Sequence, residues 1–112
     1  NRAHVRKPIT ASVEVQSDPG AGSLTGTKLV CETGDISLAG MCLYSSILLP
    51  PDTRLLMDLE IGVPPRSFNL LGQVIWCARD PSCEEFKAGI HLMKLPDDSM
   101  AWQNAVIQLL IG

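Results

Sequence analysis

The chain lacks an excess of basic residues. Nine Lys and Arg stand against twelve Asp and Glu in 112 residues, a formal charge of −3. An acidic chain is a poor candidate for gripping long DNA or RNA, whose backbone rewards many cationic contacts. It also lacks a long apolar run, so no helical membrane span is expected. A basic-then-apolar leader is missing, and the first residue is Asn1 rather than Met, so a piece of a longer cytoplasmic chain is expected. Metal-ligand spacing is missing too. Cys31, Cys42, Cys77 and Cys83 form no CxxC pair, and the two histidines, His4 and His91, lie far apart. No metal site and no disulfide framework are therefore expected, and most of the cysteines read as small buried hydrophobes.

Enough apolar material remains for one folded domain. Hydrophobic residues make up 46% and charged residues 19%, which excludes intrinsic disorder. The charge, however, is unevenly spread. Arg2, Arg6 and Lys7 lie in the first seven residues with no acid among them. Beyond residue 7, six bases face twelve acids, a balance of −6. A small basic cluster at one end of an acidic domain fits a small anionic partner or a solvated tail.

Period-two alternation dominates the chain. Ile9, Ala11, Val13 and Val15 alternate with polar residues, which predicts a strand with one buried face. Residues 17–26 are turn chemistry throughout. Further strands are predicted at 27–33, 41–45, 55–61, 68–78 and 86–93, separated by Gly34–Gly40, Pro50-Pro51-Asp52 and Pro64-Pro65. Gly72 reads as a bulge or bend within the fifth. Only the end changes period. Trp102, Ala105, Val106, Leu109 and Leu110 share a helical face over 97–111, with Asp97, Asp98 or Ser99 available as its cap. Six short strands and one helix predict an all-β barrel or sandwich covered by a helix, with residues 1–8 a flexible segment before it.

Two short patterns carry chemistry. Arg2-Ala3-His4-Val5-Arg6 is an RxxxR just before the first strand. Asp35-Ile36-Ser37-Leu38-Ala39-Gly40 is a DxSxxG between the second and third. An arginine fork matches the two acceptors on one guanine edge, or a phosphate. A carboxylate and a hydroxyl can accept from the donors on the opposite guanine edge. If the segment is extended, i, i+2 spacing puts Asp35 and Ser37 on one face. Both could instead serve a turn by bonding local backbone N–H groups.

Together the patterns resemble the signature of the PilZ domain, a bacterial receptor module for the second messenger cyclic di-GMP. Gly72-Gln73-Val74-Ile75-Trp76 is similar to the family's G-x-V-x-W strand, and Ala88-Gly89-Ile90-His91-Leu92 to its last strand. One departure is His91-Leu92, where the family often has an aromatic; that touches packing more than binding. The resemblance covers nearly all of residues 2–110. It implies one domain over 1–112, a six-stranded antiparallel β-barrel at 9–95 with a C-terminal α-helix. It implies a receptor rather than an enzyme, with cyclic di-GMP as ligand and no cofactor. Arg2 and Arg6 would take the guanine and phosphate roles, and Asp35, Ser37 and Gly40 the second half of the site. Trp76 would either stack on the ligand or pack the barrel. His4 would face solvent, Arg79 is a weaker candidate contact, and Trp102 reads as core. Asn1 stands where an extra arginine accompanies an intercalated ligand dimer, which favours one ligand per domain. The alternative function is a non-binding, PilZ-like protein-interaction scaffold. Neither reading names the output (motility, exopolysaccharide or transcription) or the effector partner.

Overall fold

The computed structural model describes residues 9–20, 22–62, 64–94 and 96–111. The flexible segment expected at residues 1–8 lies outside them. Alternation becomes strands where it is cleanest: β1 (Thr10–Ser17) and β4 (Arg54–Ile61) each bury every second side chain over most of their length. β2 (Lys28–Gly34), β3 (Gly40–Ser45), β5 (Arg66–Asp80) and β6 (Glu85–Lys94) complete the set. The strands pair antiparallel in the order β1-β2-β3-β6-β5-β4, and β4 returns to β1, so the sheet closes into a barrel rather than a sandwich. Closure leaves no unpaired edge. Ala11, Val13, Leu43, Leu55, Met57, Leu70, Val74 and Ile90 fill the interior.

The β1–β2 connection is organised by one side chain. The Asp18 carboxylate accepts from the backbone N–H of Gly20, Gly22 and Leu24 at 3.0, 3.2 and 3.0 Å. β5 is longer than its apolar core predicts, because its ends pair with β4 and β6 through polar residues. The register does shift at Gly72, but the extra residue is Met93 on the opposing strand. Gly72 itself faces inward, where a Cβ would lie 2.6 Å from Ile90 Cγ2 and 2.8 Å from Met57 Cε.

Helix α1 (Ser99–Ile111) begins at an Asp98 cap: Asp98 Oδ1 accepts from Ala101 N–H at 3.0 Å. The other carboxylate oxygen meets Arg66 Nη2 at 2.9 Å, tying the helix start to β5. Trp102 is fully buried and meets Phe68 edge-on, with ring centroids 5.3 Å apart. Ala105 and Val106 are buried beside it. Leu110, expected on the same face, is 66% exposed; at about 100° per residue it falls roughly a quarter-turn from the stripe's centre. The cysteine expectation is also corrected. All four are free thiols, and only Cys31 is buried. Cys42 lies between inward Met41 and Leu43, so alternation turns it outward. Burial, with Glu85 adding, pushes the Cys31 thiol up to about 11, which keeps it protonated.

Two stability predictions follow from this packing. Thr53 is fully buried, and its Oγ1 has no hydrogen-bond partner among the described residues. Thr53→Val keeps the shape and removes the orphan, so it should raise the unfolding free energy by about 1 kcal/mol; a fall in Tm would mean the hydroxyl is satisfied. The backbone bond to Ala101, then the Arg66 contact, hold the Asp98 carboxyl below its ordinary value of 3.8. A depressed folded pKa stabilises above the ordinary value and is lost as pH falls through the folded one. Asp98→Ala should therefore lower Tm at pH 7 and converge on wild type at strongly acidic pH. Equal deficits at both ends of the pH range would remove the charge from the explanation.

Candidate functional site

The DxSxxG motif forms the β2–β3 connection. Asp35 directly follows β2 in a left-handed conformation, φ +50°, which Asp tolerates better than most residues. Ile36 is buried, while Asp35 and Ser37 on either side of it are exposed. The segment is thus a turn rather than an extended stretch, but the buried Ile36 still leaves both oxygen-bearing side chains at the surface. Ser37 bonds the Gly40 carbonyl twice, from its N–H at 2.8 Å and from its hydroxyl at 3.1 Å. The turn-forming role and surface display therefore coexist. The next residues are fastened to other elements. Leu92 N–H donates to the Ala39 carbonyl at 2.8 Å, and Trp102 Nε1 donates to the Leu38 carbonyl at 3.4 Å. At Gly40 a Cβ would run into the Ile90 carbonyl across the β3–β6 seam, so its identity is explained by close strand approach.

Trp76 owes its position to a second register shift. Val74 opposes Ile90 and Trp76 opposes Gly89, leaving Ile75 as an extra residue on β5. Regular alternation from inward Val74 would have turned Trp76 into the core. The bulge turns it out instead, and it is 44% exposed. A Cβ on Gly89 would collide with the indole, so the ring lies directly over the Gly89 backbone. Trp76 thus packs on the outside of the barrel, against Gly89, and not in its core. Arg79 falls on the opposite face of β5 from Trp76, since Ala78 pairs with outward Lys87 and Arg79 with Phe86.

The registers put Gly34, the residue before the motif loop, and the indole into one row. Gly34 opposes Cys42, Cys42 opposes Gly89, and Gly89 opposes Trp76. In the adjacent row Glu32, Tyr44, Lys87 and Ala78 follow each other across the same four strands. The Cys42 thiol faces Asp35 Oδ2 at 4.0 Å. Burial raises its pKa; Lys87 lowers it and Asp35 raises it. Lys87 Nζ lies 5.8 Å from the Tyr44 ring centroid. Tyr44, Cys42 and Lys87 carry no motif, and only the strand alternation through 41–45 and 86–92 could have singled them out.

The chain enters the barrel beside this surface. Ile9's carbonyl accepts from Thr33 N–H at 2.8 Å and from Thr33 Oγ1 at 2.9 Å, two residues before Asp35. Arg2, His4 and Arg6, and Asn1 ahead of them, lie outside the described residues. Among the described residues no cluster of His, Cys, Asp and Glu could hold a metal ion. No helix there is long and apolar enough to cross a membrane.

The sequence matches the PilZ domain family over residues 1–112. The chain is a PilZ domain. It therefore belongs to a family of cyclic di-GMP receptors. Two solved structures share the fold. The inhibitor of motility MotI/DgrA from Bacillus subtilis superposes with a TM-score of 0.73 at 12% identity, over 94% of this chain and 48% of that one. The chain thus spans about half the length of MotI/DgrA. The YcgR PilZ domain from Escherichia coli, determined with c-di-GMP, superposes with a TM-score of 0.63 at 16% identity, over 97% of this chain and 86% of that one. A comparison with curated proteins finds no match.

The motif glycine of this PilZ domain makes a test of its architecture. Gly40→Ala forces a methyl against backbone that cannot rotate away, so urea unfolding should show a loss of about 1–3 kcal/mol. An unchanged midpoint would show that β3 and β6 are not held this close.

Proposed function

We propose that this PilZ domain is a cytoplasmic receptor that binds cyclic di-GMP on the surface between the DxSxxG loop and Trp76. The observation that supports it best is the shared row. The exposed indole lies in that row, the motif carboxylate reaches it through the contact between Asp35 and Cys42, and the exposed Ser37 hydroxyl follows two residues along the loop. Guanine needs hydrogen-bond acceptors on its N1–H and N2–H₂ edge. Asp35 offers a carboxylate. Ser37 has committed its hydroxyl hydrogen to the Gly40 carbonyl, so toward a ligand it offers lone pairs. Trp76 offers a fixed π-face for a guanine or for an arginine stacked on one.

The remaining chemistry falls to Arg2 and Arg6, which would fork onto the guanine O6/N7 edge or a phosphate. Three residue steps, through Lys7 and Pro8, lead from Arg6 to Ile9, a reach of at most about 10 Å of backbone, and Ile9 is bonded to Thr33 beside the motif loop. Binding would draw the arginines onto the barrel face and alter what an adjoining domain or partner meets there. Gly40 acts through the loop it shapes. Asn1 ahead of RxxxR favours one ligand per domain.

Calorimetric titration with cyclic di-GMP tests the reading. Wild type should bind. Arg6→Ala and Asp35→Asn should each lose most of the affinity with the Tm retained, asparagine being tolerant of the left-handed backbone at 35. Trp76→Ala should lose about 1–3 kcal/mol of stacking. Absence of heat from wild type at tens of micromolar ligand would leave the protein-interaction scaffold as the function.

A further inference from the structure

Cyclic di-GMP carries two phosphates, and the motif loop places a carboxylate beside it. A second negative group next to a dianion repels it unless a cation stands close by. Six described residues are basic. Arg66 is held by Asp98. Lys28 lies opposite Glu14, Arg54 opposite Gln73 and Lys94 opposite Leu71. Arg79 faces the other side of β5 from Trp76. Lys87 differs from all five. It stands in the row next to Trp76 and Gly89, on the strand between Tyr44 and Ala78.

We propose that Lys87 is a further ligand-contacting residue of this PilZ domain, its ammonium meeting a phosphate of the bound cyclic dinucleotide. The inference rests on the binding surface proposed above. Lys87 is the basic group that the barrel itself fixes there. Its ammonium sits over the Tyr44 ring, and Tyr44 is mostly buried, so the cation is supported by the fold. The nearby Tyr44 oxygen and Cys42 thiol, then Asp35, raise its pKa, so it stays charged throughout the physiological range. An ammonium is a compact point charge with three donors, which suits a phosphate oxygen without demanding the planar geometry of a guanidinium. Two strand positions, a rise of about 7 Å, separate Lys87 from Gly89 beneath the indole. A base on Trp76 and a phosphate on Lys87 are therefore within one nucleotide of each other.

The test is calorimetry with cyclic di-GMP on wild type, Lys87→Gln and Lys87→Arg at low and high NaCl, with Tm measured for each. Lys87→Gln should bind about tenfold more weakly at low salt and lose affinity less steeply as salt rises. Lys87→Arg should stay within a few-fold of wild type, and both Tm values should be unchanged. Wild-type binding with an undiminished Lys87→Gln overturns the role of Lys87 and leaves the binding surface standing. Weakened Lys87→Gln with an unaltered salt dependence, or with a fallen Tm, assigns the loss to structure and overturns the phosphate contact. A wild type that does not bind overturns both.

Discussion

One extra residue decides what the outer face of this barrel can do. Ile75 is inserted in β5 opposite a single step of β6, and from that point the alternation of β5 is inverted. Before the insertion, Phe68, Leu70 and Val74 feed the core. After it, the large indole of Trp76 is carried outside at no cost to the interior. Burying an indole yields more than leaving it half exposed, so the bulge holds Trp76 at the surface against the hydrophobic preference of the ring. Gly89 makes the arrangement possible, because any side chain there would lift the indole off the sheet. A bulge, a tryptophan and a glycine across the seam thus act as one device.

The motif loop is built on the same logic. Its backbone is held from three directions: within the turn by Ser37, from β6 through Leu92, and from α1 through Trp102. Preorganised acceptors lose little freedom on binding. Loop and indole belong to elements tied to one core, so their separation is a property of the barrel.

Much of this was legible in the residues. The alternation in 9–16 and 55–61 is so regular that the strands and their buried faces could be read directly, and the two motifs pointed to guanine chemistry. The closed barrel needed more, since period two does not distinguish barrel from sandwich; strand order is a matter of long-range pairing. The bulge at Ile75 was not legible, because Val74-Ile75-Trp76 is uniformly apolar and carries no period. The left-handed Asp35 escaped for a related reason: aspartate occurs in many turns, and only the buried Ile36 fixes how this one points. Gly72 was placed correctly at a register shift, but the inserted residue on β6 is Met93, whose sequence neighbours give no sign of it. Leu110 departs from the expected face because, at about 100° per residue, it falls to the side of the stripe formed by Trp102, Ala105, Val106 and Leu109.

The charge of the chain acquires a local meaning. A balance of −6 beyond residue 7 would repel a dianion at long range, yet the Debye length in physiological salt is about 8 Å. Carboxylates on the far side of the barrel are screened, whereas Asp35 and Lys87, near enough to influence each other's surroundings, are not. Electrostatics at this surface therefore depends on a few charges whose positions are set by strand register. An acidic domain can accommodate a small anion on such a patch while offering nothing to a polymer, because a polymer's affinity grows with each phosphate neutralised and the barrel has few cations to spare.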